Sequence, residues 1–325
     1  MAKKVALWIN GNSTNLRGQI LQDLSHRYVG DNTPLYRAGS SYQPLLEADA
    51  VAIFGGDGTI RHVFNGLIKA RGTQQDSFPQ ILVLPFGNGN ALAHSLGTQN
   101  RKQASTLLER TIENDFLATA SIPLIHIQAA NQDPEYFTFA SVGLDVTVIN
   151  DYDKKWRPRM GKIGYIPAGL SHLPHLKPLE ASVEKSQGLP ITQNGSFSTN
   201  SLPLDDLIKS DTVTFGVGTT PHYGWGLKAL PYATQAHQQG MMHARSFNLH
   251  GRVAHFLANI PSFWKGEYQG PLVRDAFTGE INLQRKDNKS FPLEVAGDVI
   301  GYVPRVSFRI APQYTFRFIT QIAQS

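Results

Sequence analysis

The sequence predicts two domains: an open α/β domain whose mostly parallel sheet carries helices on both faces, and an all-β domain that resembles a sandwich. Uninterrupted apolar runs of strand length occur in the first third of the 325 residues, as expected for parallel strands covered on both faces. Between two of these runs, apolar residues recur at helical spacing. After residue 122, shorter apolar stretches are separated by Gly, Pro, Asn and Asp, which favours antiparallel strands.

In chain order, the first domain comprises residues 1–122 and is rejoined by the C-terminal segment 311–325. Its strands are predicted at residues 5–9, 50–54 and 81–84. A helix follows Thr59, where one face carries Ile60, Val63, Phe64, Leu67 and Ile68. The second domain covers residues 123–310, with strands predicted at 124–129, 136–142, 212–217, 281–283, 291–295 and 306–310. The polar residues 186–203 predict a hairpin or loop.

Composition excludes several classes of protein. The chain contains no Cys, which excludes disulfides, thiolate metal sites and cysteine nucleophiles, and fits a reducing compartment. No apolar run approaches the roughly 18 residues of a membrane span, so we expect a cytoplasmic protein whose membrane contact is peripheral. The formal net charge of +5 is too small to indicate nucleic-acid binding.

The strand at 50–54 ends in a glycine-rich turn, Gly55-Gly56-Asp57-Gly58-Thr59, which opens the predicted helix. Glycines let the backbone turn tightly and approach a ligand, and a helix N-terminus attracts anions. Asp57 is unusual in a phosphate loop, and it suits a group that accepts a proton from a hydroxyl or helps to hold a cation. The alternative is local turn chemistry, with Thr59 as an N-cap.

The strand at 81–84 ends in a second glycine-rich turn, Pro85-Phe86-Gly87-Asn88-Gly89-Asn90. It is not a dinucleotide fingerprint, because Leu92 occupies the third glycine position, and the chain has no P-loop motif. Two such turns at the carboxyl ends of neighbouring parallel strands mark the edge at which open α/β sheets bind ligands.

Together these motifs resemble the diacylglycerol kinase and sphingosine kinase catalytic family, and the second turn is most similar to the sphingosine and ceramide kinase branch. Later segments resemble the family in the same order: Ser141 to Val146, Gly161 to Tyr165, and Tyr223 to Gly226 followed by Pro231 and Ala233. The resemblance implies an ATP-binding α/β domain, a β-sandwich domain and a lipid substrate, with Mg²⁺ supplying positive charge.

The resemblance also implies roles for individual residues. Asp57 would be the general base, and Asp145 would contact the polar head of the lipid. The nucleotide would be bound by Asn10, Gly55, Gly56, Gly58, Thr59, Gly87, Asn88, Gly89 and Asn90. The metal ligands remain unknown.

The chain departs from the family pattern at the late acidic motif Asp-Gly-Glu, where it has Ala296-Gly297-Asp298. Asp298 is then the second catalytic candidate, although its side chain is one methylene shorter than that of Glu. Gln239 replaces an Asp, and Asn88 replaces a Thr or Ser. These changes put catalytic turnover and metal binding in question.

Residues 153–162 carry five basic side chains against one acid, a net charge of +4. This run is either a solvated loop or a surface for ATP phosphates or anionic lipids, with Trp156 as an interfacial anchor. The eleven histidines form no metal-binding motif, and we assign them to surface or packing positions.

The leading hypothesis is an ATP-dependent lipid kinase that phosphorylates a hydroxyl of diacylglycerol, a sphingoid base or ceramide. Two alternatives stay open: a phosphotransferase similar to NAD kinase, and a lipid- or nucleotide-binding protein with little catalysis on the same scaffold. The sequence leaves the acceptor lipid and the oligomeric state open.

Overall fold

A computed structural model describes residues 3–10, 27–30, 32–72, 77–115, 117–184, 186–191, 202–287 and 289–321. The chain divides into two units. The first comprises Met1–Pro123, His222–Gly226 and Gln313–Ser325. The second comprises Leu124–Pro221 and Leu227–Pro312.

The elements of the N-terminal part alternate between strands and helices. The strands are β1 Val5–Ile9, β2 Leu35–Arg37, β3 Ala50–Gly55, β4 Gln80–Pro85 and β5 Thr119–Ala129. The helices are α1 Gln43–Leu46, α2 Asp57–Arg71, α3 Ala91–Leu96 and α4 Arg101–Ile112.

The later part of the chain is mainly β structure with short helices. Its strands are β6 Glu135–Phe137, β7 Phe139–Gly143, β8 Ala181–Glu184, β9 Gln187–Ile191, β10 Leu202–Pro203, β11 Thr214–Gly218, β12 Met242–Phe247, β13 Val273–Thr278, β14 Glu280–Arg285, β15 Phe291–Val295, β16 Asp298–Val303 and β17 Arg305–Ile319. Its helices are α5 Leu144–Asp151, α6 Arg157–Met160, α7 Tyr165–His172, α8 Ala233–Gln238, α9 Val253–Ala258 and α10 Ile260–Lys265. A π-helical turn spans Tyr152–Trp156, and short 3₁₀ turns lie at Gly161–Gly164, Leu173–His175, Asp205–Leu207 and Gly224–Gly226.

The sheet of the first unit is parallel, in the order β2-β1-β3-β4, and the end of β17 pairs in parallel with β4. Its central strands β1, β3 and β4 are almost entirely apolar because both faces of the sheet are covered there. On one face, Phe64 of α2 stacks on Phe316 of β17. On the other, Leu107 and Leu108 of α4 join the core beneath β1, β3 and β4. This two-sided burial explains why the strands are continuous apolar runs rather than alternating patterns.

The second unit consists of antiparallel strands in two groups. One sheet has the order β10-β9-β13-β12-β11-β7-β15-β16, and every pairing in it is antiparallel. In the other group, β14 lies between β8 and the beginning of β17, while β5 pairs with β6 and β17. The predicted fold class, an α/β domain followed by a β domain, is confirmed.

The second unit also holds helices that the sequence analysis did not predict. The most continuous helical stretch runs from α5 through the π-helical turn to α7. It carries the basic run, and its glycines and Pro158 divide it into short pieces. Within the polar stretch at 186–203, β9 and β10 form an antiparallel pair, while residues 192–201 lie outside the described part of the chain.

Candidate active site

The two glycine-rich turns of the first unit meet at the carboxyl ends of β3 and β4. The strands are in register there, with Gly55 opposite Pro85. A Cβ atom on Gly56 would lie 2.8 Å from the Cα of Gly87, so the two backbones touch where any side chain would separate them. This close approach explains the glycines of both turns and leaves a strip of bare backbone at this edge.

The first turn is tied to the end of β1. Thr59 Oγ1 accepts a hydrogen bond of 3.0 Å from Nδ2 of Asn10. A Cβ on Gly55 would lie 2.5–2.6 Å from the Thr59 side chain, which therefore needs a glycine at position 55. Asn10, Gly55 and Thr59, all predicted nucleotide-binding residues, are thus brought together.

The second turn is closed by its own asparagine. Asn90 Oδ1 accepts from the Gly87 N–H at 2.9 Å, and Asn90 Nδ2 donates to the Gly87 carbonyl at 3.1 Å. Asn90 has a left-handed backbone with φ of 49°, which Asn tolerates better than most residues. Its amide group holds the turn in shape and occupies the Gly87 N–H, so any contact of this segment with phosphate would fall to Asn88 and the backbone N–H of Gly89.

Asp57 connects the two turns. Its side chain is 7% exposed. Oδ2 accepts from the Ala91 N–H at 2.9 Å and Oδ1 accepts from the Leu92 N–H at 3.0 Å. These are first-turn amides of α3, which have no partner within their own helix. Asp57 therefore caps α3 from a distance, a role that the sequence analysis did not foresee.

A segment remote in sequence completes this part of the first unit. The Trp225 N–H donates to the Gly89 carbonyl at 2.9 Å, and Gly224 packs against Gly89. Ser95 Oγ of α3 lies 3.1 Å from Nδ1 of His222. The glycines at 224 and 226 were recognised in the sequence as a family-like motif, but nothing in the local pattern indicated that they would reach this turn.

Arg101 places a cation next to the second turn. Its Nε donates to the Pro85 carbonyl at 3.2 Å, and its guanidinium lies 4.6 Å from the centre of the Phe86 ring. The sequence analysis missed this residue because Arg101 begins a separate helix after the motif. Arginine is well suited to phosphate oxygens, which it can contact with two N–H groups at once.

In the second unit, Asp145 lies in the first turn of α5. Its backbone N–H donates to Thr214 Oγ1 at 3.3 Å, and its Oδ2 is hydrogen-bonded to Ser141 Oγ. Oδ1 is buried and has no hydrogen-bond donor among the described residues. Burial, opposed by these hydrogen bonds, raises the pKa of Asp145 to about 6.

Asp298 begins β16 and is exposed. It faces Val295 across a tight two-residue turn, Ala296-Gly297, in which both central residues have positive φ. Ala296, at φ of 60°, occupies a conformation that favours Gly, Asn or Asp. The buried acid of this hairpin is Glu294, which the sequence analysis did not select.

A buried charged cluster crosses β12 and β13. Arg245, which is 0% exposed, binds both carboxylate oxygens of Asp275, and His243 Nε2 lies 2.7 Å from Asp275 Oδ1. Burial alone would raise the pKa of Asp275, but Arg245 and His243 lower it to about 2. The alternation of β12 places His243 and Arg245 on the same face, which is the only sequence signal that the cluster gives.

The basic run is exposed but partly neutralised. Lys155 pairs with Asp151 at 3.0 Å and Arg157 with Asp153 at 3.1 Å. Trp156, the predicted anchor, is only half-exposed because it packs on Gly164. The more exposed apolar side chains nearby are Met160, Ile163 and Leu170, which are 45%, 63% and 51% exposed. The side chain of Lys162 lies outside the described part of the structure.

An open apolar cleft lies in the second unit. It is lined by Leu170, Leu173, Leu176, Val253 and Leu257. Among the described helices, none is long and apolar enough to cross a membrane. Within the same described ranges, no group of three or more His, Asp or Glu side chains is arranged to hold a metal ion.

Comparison with known proteins relates the chain to lipid kinases. Residues 35–121 match the family described as the diacylglycerol kinase catalytic domain. The lipid kinase YegS of Escherichia coli K12 is 28% identical over 240 residues, which are 74% of this chain and 69% of that protein. The diacylglycerol kinase of Bacillus subtilis strain 168 is 28% identical over 144 residues, or 43% of this chain and 42% of that protein.

A solved structure gives the same relationship at the level of the fold. The crystal structure of a "putative diacylglycerol kinase from Bacillus anthracis str. Sterne" aligns with a TM-score of 0.58, covering 99% of this chain and 98% of that one at 17% identity. The resemblance to the diacylglycerol kinase family inferred from the sequence motifs is confirmed. The matched residues 35–121 contain both glycine-rich turns and Asp57.

Proposed function

We propose that this chain is an ATP-dependent lipid kinase that transfers the γ-phosphoryl group to a hydroxyl of a long-chain lipid, either a diacylglycerol or a lipid of the sphingoid or ceramide type. One observation carries the proposal: the two glycine-rich turns touch at Gly56 and Gly87 and bare a strip of backbone at the carboxyl ends of β3 and β4. In the reaction, the lipid hydroxyl loses its proton to a base, for which Asp57 is the candidate, and its oxygen bonds to the γ-phosphorus. The bond from that phosphorus to the β–γ bridging oxygen breaks, and ADP leaves.

The nucleotide contacts follow from this geometry. The backbone N–H groups of Gly56, Gly58 and Gly89 would bind phosphate oxygens, with the N-terminus of the fifteen-residue helix α2 supplying positive potential. Gly87, whose N–H donates to Asn90, would keep the second turn close to the first. Arg101 would neutralise further phosphate charge. Mg²⁺ usually enters such sites with the phosphates and keeps several waters, so it needs only one or two protein oxygens, as from Asn88 or Thr59.

The second unit would bind the lipid. Its apolar cleft suits acyl chains, and Asp145, with a buried Oδ1 that accepts no hydrogen bond from the described residues, suits a headgroup hydroxyl. The exposed side chains of Met160, Ile163 and Leu170 stand beside the basic run, a combination that favours contact with an anionic membrane surface.

A second candidate is a lipid- or nucleotide-binding protein with little catalysis. The observation that favours it is the double capping by Asp57, since both carboxylate oxygens of the expected general base already accept amide hydrogen bonds. A base with this environment is less available to a substrate proton than a free carboxylate.

The test uses the full chain, γ-labelled ATP, Mg²⁺ and vesicles that contain diacylglycerol, sphinganine or ceramide. Gly56→Ala would force the two turns apart, and Gly30→Ala is the matched control, because no atom lies within 4 Å of a Cβ at position 30. We expect labelled lipid from the wild type and from Gly30→Ala, and at least a tenfold loss with Gly56→Ala.

Two results would contradict the proposal. If ATP or lipid binds with normal affinity but no lipid is labelled with any of several divalent metals, the binding-protein candidate is correct. If Gly56→Ala phosphorylates lipid at the wild-type rate, the nucleotide does not use the touching glycine turns.

A further inference from the structure

Two carboxyl groups of the second unit, Glu294, which is buried, and Asp145, which is partly buried, lie on either side of one serine. Ser141 of β7 and Glu294 of β15 are a direct cross-strand pair, and their Oγ and Oε2 atoms are 2.9 Å apart. The same Oγ is hydrogen-bonded to Oδ2 of Asp145. Glu294 is 0% exposed, and its other oxygen, Oε1, accepts from the Gly297 N–H.

These contacts require one more proton than the ordinary ionisation states supply. A serine hydroxyl has a single hydrogen and can donate to one carboxylate only. If both Asp145 and Glu294 were ionised, Ser141 could donate to only one of them. Its contact with the other carboxylate would then bring two oxygen lone pairs together, without a hydrogen between them, in a buried place. One of the two carboxyl groups must therefore be protonated for both contacts of Ser141 to be hydrogen bonds.

The surroundings of Asp145 favour this extra proton. The neighbouring groups are Glu294 on β15, Tyr165 on α7 and Thr214 on β11, and no Lys, Arg or His among the described residues bonds to Asp145. Burial is the largest influence and raises the pKa of Asp145, while the hydrogen bond from Ser141 lowers it. The direction agrees with a proton that Asp145 keeps to a higher pH than an ordinary Asp does.

We propose that Glu294 is a positioning residue for Asp145, and that the two carboxyl groups share one proton through Ser141. That Asp145 then serves a lipid headgroup rests on the proposed function, whereas the sharing of the proton does not. Glu294 would take the place of the acid that is missing at Ala296, because the remaining acid of that turn, Asp298, is exposed at the start of β16.

The shared proton gives Asp145 two states. In the first state, Asp145 is protonated and donates a hydrogen bond to Ser141, and Ser141 donates a hydrogen bond to the charged Glu294. In the other, the Asp145 proton has moved to Ser141, the Ser141 hydrogen has moved to Glu294, and Asp145 is the charged group. The number of protons and the net charge are the same in both states. A headgroup that donates a hydrogen bond to Asp145 Oδ1 would favour the second state.

The experiment is an infrared titration of the full chain without lipid or nucleotide, with the carboxyl carbon of Asp labelled with ¹³C. The C=O band of a protonated Asp should persist above pH 5 and disappear near pH 6. Glu294→Gln removes a like charge and should lower this midpoint by about one unit. Ser141→Ala removes a hydrogen bond to the ionised form and should raise it. The exposed residue Glu267 provides the control, Glu267→Gln, which should leave the midpoint unchanged.

Opposite shifts in the two variants would support the proposal, since a merely structural role for Glu294 would not move the Asp145 titration. If no protonated Asp is seen above pH 5, or if Asp298→Asn shifts the midpoint while Glu294→Gln does not, the proposal is wrong. The titration needs no substrate, so a chain that fails to phosphorylate lipid but shows these shifts would refute the proposed function alone.

Discussion

Replacing Asp57 by Asn distinguishes the two roles that this residue can have, as the cap of helix α3 and as the general base. The carboxylate accepts the Ala91 N–H at 2.9 Å and the Leu92 N–H at 3.0 Å, one with each oxygen. Asn has the same size and keeps one oxygen, but its NH₂ group would face the second amide donor. The variant therefore loses one charged hydrogen bond, weakens the other, and leaves one buried N–H without an acceptor.

The size of the effect follows from these contacts. A hydrogen bond to a charged group contributes about 1.5–3 kcal/mol to the free energy of unfolding. The loss of one such bond predicts a destabilisation of about 2 kcal/mol, or roughly 4–8 °C in Tm for a unit of this size. Because Asp57 also holds the second turn in place, ATP should bind more weakly.

The assay combines thermal unfolding, ATP titration and single-turnover kinetics on the same preparations. Asp49→Asn is the matched control, since Asp49 accepts the Lys4 N–H at 2.8 Å at an exposed position and should cost less than about 0.5 kcal/mol. A wild-type Tm and a wild-type ATP affinity in Asp57→Asn would refute the capping role. If kcat alone fell under those conditions, Asp57 would act only as a base.

Three further changes test other parts of the structure. Arg101→Ala should raise the KM for ATP about tenfold with little change in kcat, because the cation beside Pro85 and Phe86 is lost. Steady-state kinetics would check this, with Arg101→Lys as a comparison that keeps the positive charge. Asp275→Asn should lower the free energy of unfolding by about 3–5 kcal/mol in urea titrations, because Arg245 would keep a buried charge without its carboxylate. Asp145 has a folded-state pKa raised from 3.8 to about 6, so the folded state binds more protons than the unfolded chain between these values, and wild-type stability should fall as the pH rises from about 4 to 6. Asp145→Asn should match the wild type at pH 4 and exceed it by about 2 kcal/mol at pH 7 in urea unfolding, less than the roughly 3 kcal/mol that the shift implies because the residue is partly exposed.

The sequence predicted β1, β3 and β4 of the first unit because their burial is two-sided, whereas the short and partly exposed β2 was missed. Residues 5–9, 50–54 and 81–84 are apolar at every position, as a strand buried on both faces must be. A helix of the same length would not need to be apolar at every position. The helices between residues 144 and 172 were not predicted. Each is short, and glycines and Pro158 interrupt the hydrophobic periodicity on which recognition of a helix depends.

The candidate site was predicted in part. The glycine-rich turns could be recognised in the sequence because only glycine allows the backbones of two turns to touch, as Gly56 and Gly87 do. Arg101 and Glu294 could not be found in this way. Each is an ordinary polar residue in sequence, and what distinguishes it is a contact with a residue from another element, Pro85 for Arg101 and Ser141 for Glu294.

Three carboxyl groups of this chain, those of Asp275, Asp57 and Asp145, are chemically alike but have different surroundings. Asp275 is held by a guanidinium, and its pKa is lowered to about 2, so it stays charged at any physiological pH. Both oxygens of Asp57 are occupied by helix amides. Asp145 meets another carboxyl group through a hydroxyl and has no bonded cation among the described residues, and its raised pKa of about 6 lets it exchange a proton closer to neutrality than Asp275 can. If the charged form of Asp145 binds the lipid headgroup, the acid limb of the pH–rate profile should therefore follow Asp145, and it should move with Glu294→Gln.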